Sequence, residues 1–171
     1  MKKSTVLLPL FLLSITILTV ACAPLAANQT QDTFENDYYS FEIPDGDWIS
    51  APAGDMVSLI LNNDDYLVNI VVETDETLLS LPELVNDNRE DMITSNILIN
   101  TTITHEAAAI VGIETAHQLE FNYHLINPVE ATNYLIVKNG RYYSITYQTE
   151  EGYFDDHLIE FETLLDSFEI K

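Results

Sequence analysis

Four histidines, His105, His117, His124 and His157, are the side chains best suited to acid–base or metal chemistry in this chain of 171 residues, because imidazole titrates near neutral pH and ligates zinc. None stands at a short ligand spacing from another, so any site must be assembled by folding. A hairpin turning at Gly112 places His105-Glu106 near the strand that carries His117 and Glu120, a donor set that could hold a surface zinc ion. The commoner role of such histidines is as satisfied core or surface side chains, and that is the reading adopted. Asp64-Asp65, Asp75-Glu76 and Asp155-Asp156 pair oxygens that could hold calcium, but none has the alternating ligands and central glycine of an EF-hand loop. Solvated turns and acidic first helical turns account for them. There is no Gly-x-Ser-x-Gly, no His-Glu-x-x-His and no glycine-rich phosphate loop. The sequence therefore predicts no catalytic residues, no cofactor and no committed metal ligand.

The amino terminus carries a different chemistry. Lys2 and Lys3 precede an apolar run from Val6 to Val20 that ends at Ala21-Cys22, the layout of a secretory signal of residues 1–21. The run is shorter than the ~20 residues of a membrane span, and no stop-transfer charges follow. Thr19-Val20-Ala21-Cys22 resembles the lipobox of bacterial lipoproteins. That resemblance implies acylation, palmitate included, of Cys22 as the first mature residue, although Thr19 stands where an aliphatic residue is usual. Ordinary signal cleavage leaving a free thiol is the alternative. Cys22 is the only cysteine, so no disulfide can form within the chain. Several acyl chains on it would hold the protein to a membrane, where one chain binds marginally.

Beyond Cys22 the remaining cations are Arg89, Lys138, Arg141 and Lys171, set against 28 acidic residues. So acidic a surface repels nucleic acid and anionic head groups and attracts cations or basic partners. Its spread along the chain suits solubility outside the cytoplasm. Residues 22–36 are polar and without periodicity, which predicts a flexible tether. Residues 37–171 have the length of one domain.

The elements of that domain follow from period. Tyr38 to Ile43 alternates as a first strand before Pro44, and Met56–Leu61 and Leu67–Glu73 form a hairpin across Asn62–Asp65. Ser80-Leu81-Pro82-Glu83 starts a helix that runs to about Asn96, with a sparse apolar set that places it at the edge of the sheet. Thr102–Ile110, Glu114–Leu125 and Val129–Lys138 read as strands. Asn139-Gly140 supplies the positive φ of a type I′ turn into Arg141–Tyr147. Phe154, Leu158, Phe161, Leu164, Leu165 and Phe168 then recur at helical steps, an apolar stripe that needs a sheet beneath it. The class is α+β, an antiparallel β-sheet flanked by helices.

The order of these parts is similar to the PsbP-like family, which includes the extrinsic photosystem II subunit and many bacterial lipoproteins. The pieces are Tyr39-Ser40-Phe41-Glu42-Ile43-Pro44 with Trp48, Val111-Gly112-Ile113 before Ala116–Phe121, Arg141–Tyr147, and Phe154–Phe168. The resemblance implies an α/β/α sandwich without enzymatic activity and carries over no catalytic residues. Together with Cys22 it leads us to expect a monomeric lipoprotein of the cell membrane, facing away from the cytoplasm and binding a protein partner. A small-ligand or zinc- or calcium-binding module is the alternative, including a photosystem II role if the source is photosynthetic.

Overall fold

The computed structural model describes residues 33–61, 66, 68–95 and 97–171. Residues 1–21, Cys22 and the tether up to residue 32 lie outside the described residues, as does the turn 62–65. Ten strands form two antiparallel sheets among the described residues. The larger takes β3 (Trp48–Ala53), β4 (Met56–Leu61), β5 (Val68–Glu76), β6 (Ile99–Val111), β7 (Glu114–His124), β8 (Pro128–Lys138) and β9 (Arg141–Glu150) in the order β3-β4-β5-β9-β8-β7-β6. The smaller joins β1 (Thr33–Glu35), β2 (Tyr39–Glu42) and β10 (Glu169–Ile170). Helix α1 spans Leu81–Thr94, and a 3-10 turn at Phe154–His157 leads into α2, Leu158–Ser167. The α+β class is as the sequence indicates.

Side-chain alternation along β9 decides which layer covers which face. Tyr143, Ile145 and Tyr147 point toward α2 and the small sheet, where they join Tyr39, Phe41, Val57, Leu59, Ile70, Val72, Phe161, Leu164 and Phe168 in the main core. Burial of the four apolar side chains Phe161, Leu164, Leu165 and Phe168 contributes on the order of 10 kcal/mol before ordering costs. Tyr142, one residue out of phase, faces the other way and packs with Leu84 and Val85 of α1 and with Leu119 and Leu135. The helices therefore cover opposite faces of the large sheet.

Several boundaries differ from expectation, each for a local reason. Thr33–Glu35 is not tether: Phe34 is buried and pairs with Phe41, so these residues belong to the folded body. Trp48–Ala53 is an edge strand, although Pro52 and small residues mask its alternation. Helix α1 lies on the face of β6, β7 and β8, the three strands at one edge of the large sheet, and its Ile93 is 59% exposed. Its true inward set is Leu84, Val85, Asn88 and Met92. The Asn139-Gly140 turn is as expected, with φ of 54° and 74°.

Gly112 fastens the β6–β7 hairpin to the end of α2. Its N–H donates to the Leu165 carbonyl at 2.9 Å, its φ is +55°, and a Cβ built there would overlap the Phe168 carbonyl oxygen. Gly54 has a similar φ of +64° but open space around it. Gly112→Ala is expected to lower stability by at least ~2 kcal/mol, and Gly54→Ala by about 1 kcal/mol. Thermal unfolding followed by circular dichroism checks the ranking, and equal losses would contradict it.

Candidate functional site

The β6–β7 register sorts the histidines and carboxylates of this hairpin. His105 pairs with Glu120, Glu106 with Leu119, and Ala108 with His117. Directly paired residues share a face and sequence neighbours do not. Glu106 and His117 thus point toward α1, and His105 and Glu120 point the opposite way. The hairpin forms as the sequence indicates, but it splits the four side chains into two pairs.

On the α1 side, His117 Nε2 lies 2.9 Å from Glu106 Oε1, and Arg89 of α1 donates from Nη2 to the other oxygen of the same carboxylate. Burial raises the Glu106 pKa, but hydrogen bonds from Arg89 and His117 and their charge outweigh it and hold the carboxyl below its usual value. A metal ion at this carboxylate would have to displace a guanidinium. His157 stands elsewhere, between Tyr66 at 3.1 Å and Glu160 at 3.2 Å, and His124 closes β7 opposite Ile99. Among the described residues no three His, Cys, Asp or Glu side chains converge as a metal site.

A larger polar feature lies beneath α1 and along the same sheet face. Ser58, Asn69, Glu73, Asn133, Ser144, Thr146 and Gln148 are all buried there. Ser58 Oγ donates to Asn69 Oδ1 at 2.8 Å, and Asn133 Nδ2 donates to Ser144 Oγ and Thr146 Oγ1, both at 2.8 Å. Tyr123 Oη donates to Gln148 Oε1 at 2.8 Å. Among the described residues, three buried polar atoms facing this layer have no hydrogen-bond partner: Asn88 Oδ1 on α1, Asn133 Oδ1 and Tyr142 Oη. Leu84 and Val85 share a cluster with Leu135, and Met92 with Ala131, and Asn88 and Asn133 come between these residues along α1 and β8. Two buried carbonyl acceptors lacking donors cost about 1–3 kcal/mol each, and a water or a ligand hydroxyl reaching either would satisfy it. None of this was read from the sequence. Ser144-x-Thr146-x-Gln148 alternating with Tyr143, Ile145 and Tyr147 was the available signal.

The opposite face holds a shallow groove of about 230 Å3 lined by Thr104, Glu120, Asn122, Glu130, Ala131 and Phe154. Gln118 Nε2 donates to Glu120 Oε1 at 3.0 Å and steadies that carboxylate. The groove presents carboxylates and an amide beside one aromatic ring, a surface suited to a cationic group.

No family model and no curated protein sequence matches the chain. Solved structures do. The cyanobacterial PsbP, CyanoP, of Synechocystis sp. PCC 6803 is 15% identical with a TM-score of 0.62, over 87% of this chain and 100% of that one. LpqN of Mycobacterium tuberculosis, described as involved in cell envelope biogenesis, is 12% identical with a TM-score of 0.56, over 87% and 90%. PA94 of Pseudomonas aeruginosa, a protein of unknown function, is 12% identical with a TM-score of 0.58, over 74% and 88%. At such identities the likeness bears on the fold alone, and the fold is the PsbP-like one.

Glu73 gives the polar face a pH dependence. Burial, followed by the charge of Asp75, pushes its carboxyl up to about 7 from an ordinary 4.5. The folded state then holds a proton that the unfolded chain releases, so the contribution is full below pH 4.5 and is lost as pH rises to 7. Glu73→Gln should melt on the order of 5 °C above the parent at pH 8 and with little difference at pH 4.5. Melting curves at the two pH values check this, and a gain of equal size at both would contradict it.

Proposed function

We propose that this chain is a non-enzymatic lipoprotein that presents its PsbP-like domain on the extracytoplasmic side of the cell membrane and binds a protein partner. The observation that carries the reading is the fold shared across 87% of the chain with LpqN, a protein involved in cell envelope biogenesis. The lipobox-like Thr19–Cys22 and the preponderance of acidic over basic residues support the same setting. Acyl groups on Cys22 hold the chain, residues 23–32 give reach, and the folded body from Thr33 meets the partner. Expression with an alkynyl palmitate analogue tests the anchor. The wild type should be labelled and sediment with membranes, and Cys22→Ala should be unlabelled and soluble. A soluble, unlabelled wild type would refute the anchor. Capture from crosslinked membranes tests the partner, with a stoichiometric companion as the expected outcome.

A second reading, a module for a small polar ligand, is favoured by the unpartnered Asn88 Oδ1, Asn133 Oδ1 and Tyr142 Oη. It calls for a neutral ligand with hydroxyl donors more than for zinc or calcium, because these groups are uncharged. Under this reading a thermal screen of neutral polyols should find a solute that raises the melting temperature of the parent and not of Asn133→Leu. Equal shifts in both proteins would count against it.

A further inference from the structure

The two edges of the large sheet differ in how they are defended. β3 is short and carries Pro52, which withholds a backbone donor. β6 runs for 13 residues without proline or lysine. Its register shifts fall between Ile99 and His105, leaving the stretch from His105 to Val111 regularly paired. Val111 and Glu114 face each other across the two-residue turn Gly112-Ile113, so they form the hydrogen-bonded pair that closes it. Alternation then turns the N–H and C=O of Ile110, Ala108 and Glu106 away from β7. No described strand lies on that side. Ala108 and Ile110 are exposed, and the run Ala107-Ala108-Ala109 puts only methyl groups beside this backbone.

We infer that the outer edge of β6 between Glu106 and Ile110 is the docking site for an extended segment of a partner protein, added as an extra strand and bearing basic residues at alternate positions. Charge argues for the occupant. An added strand that runs on past Glu106 turns every second side chain toward the groove face, where Glu120 stands in register with His105 at the end of this stretch, beside Asn122 and Thr104 and, one strand farther on β8, Glu130. Two strand spacings separate the added strand from β7, about 10 Å, which the combined lengths of a lysine and a glutamate span. The chain's net charge of −22 also disfavours a second copy of itself at that edge. Ladder hydrogen bonds supply affinity in this mode, and the carboxylates select the sign of the partner. The inference rests on the protein-partner reading above and names its surface.

The test uses the full chain with two ten-residue peptides, one alternating valine and lysine and one alternating valine and glutamate. The lysine peptide should bind, more weakly as salt is raised, and should protect the amides of Ala108 and Ile110 from hydrogen exchange. The glutamate peptide should not bind. Ala108→Pro removes an outward N–H without breaking the ladder to β7, and should weaken binding at least about tenfold. Glu120→Gln combined with Glu130→Gln, which leaves the edge intact, should abolish the preference for the lysine peptide. Absence of binding to the wild type, or undiminished binding to a folded Ala108→Pro, overturns the inference. So does self-association in sedimentation that Ala108→Pro removes, because the edge would then belong to a second copy. A membrane partner captured equally by wild type and Ala108→Pro would leave the partner reading standing and remove only the edge.

Discussion

Strand β9 is enclosed on both faces from Tyr142 to Thr149, and the rest of the fold depends on how its two faces are satisfied. A strand so placed ordinarily reads as a continuous apolar run. This one alternates, with Tyr143, Ile145 and Tyr147 against α2 and Ser144, Thr146 and Gln148 on the other side. The first face is held by area removed from water. The second is held by pairing, since each buried hydroxyl or amide without a partner would cost about 1–3 kcal/mol. Asn133 from β8 and Tyr123 from β7 supply donors to it. The polar row thereby fixes the register of three strands from their side chains, in addition to the backbone ladder. A slip by one residue would set tyrosine rings against Asn133 and leave the hydroxyls in the aromatic core.

The two layers over the sheet answer to these two faces. On the aromatic side, Tyr39 stacks with Phe168 at 5.7 Å and meets Tyr143 edge-on at 6.4 Å, while its hydroxyl donates to the Val72 carbonyl at 3.2 Å. That single side chain ties the small sheet, the end of α2 and β5 together. On the polar side, α1 presents Asn88 among Leu84, Val85 and Met92. Its apolar contacts supply the adhesion, and Arg89 reaching Glu106 orients it over β6. An amide kept at the centre of that contact, where leucine would add burial, makes this layer less adhesive than the other.

What the sequence disclosed follows the same division. The apolar stripe of α2, the Asn139-Gly140 turn and the strands β4 to β9 were legible because period and turn chemistry act locally. Thr33–Glu35 was not, since its burial depends on Phe34 finding Phe41 after β2 has formed. Glu169–Ile170, too short to show a period, exists only through its pairing with Ser40 and Tyr39. The separation of His105 and Glu120 from Glu106 and His117 needed the register, which residue types alone do not specify. The polar row was hidden for a related reason: serine, threonine and glutamine alternating with aromatics describe a half-exposed strand as well as a doubly buried one. Which of the two holds is decided by the neighbours β5 and β8.

Structures sharing 12–15% identity with this chain reach the same fold, so the architecture asks for pattern more than for particular residues. Aliphatic and aromatic side chains of suitable volume can replace one another in such a core at modest cost. A buried glutamate, a row of amides and hydroxyls, and a carboxylate groove beside a long edge strand are not required by that pattern. An apolar residue at Glu73 would pack as well without the cost of desolvation. The fold is therefore a poor guide to what this chain does, and the residues that the fold could dispense with are the ones where its particular contacts reside.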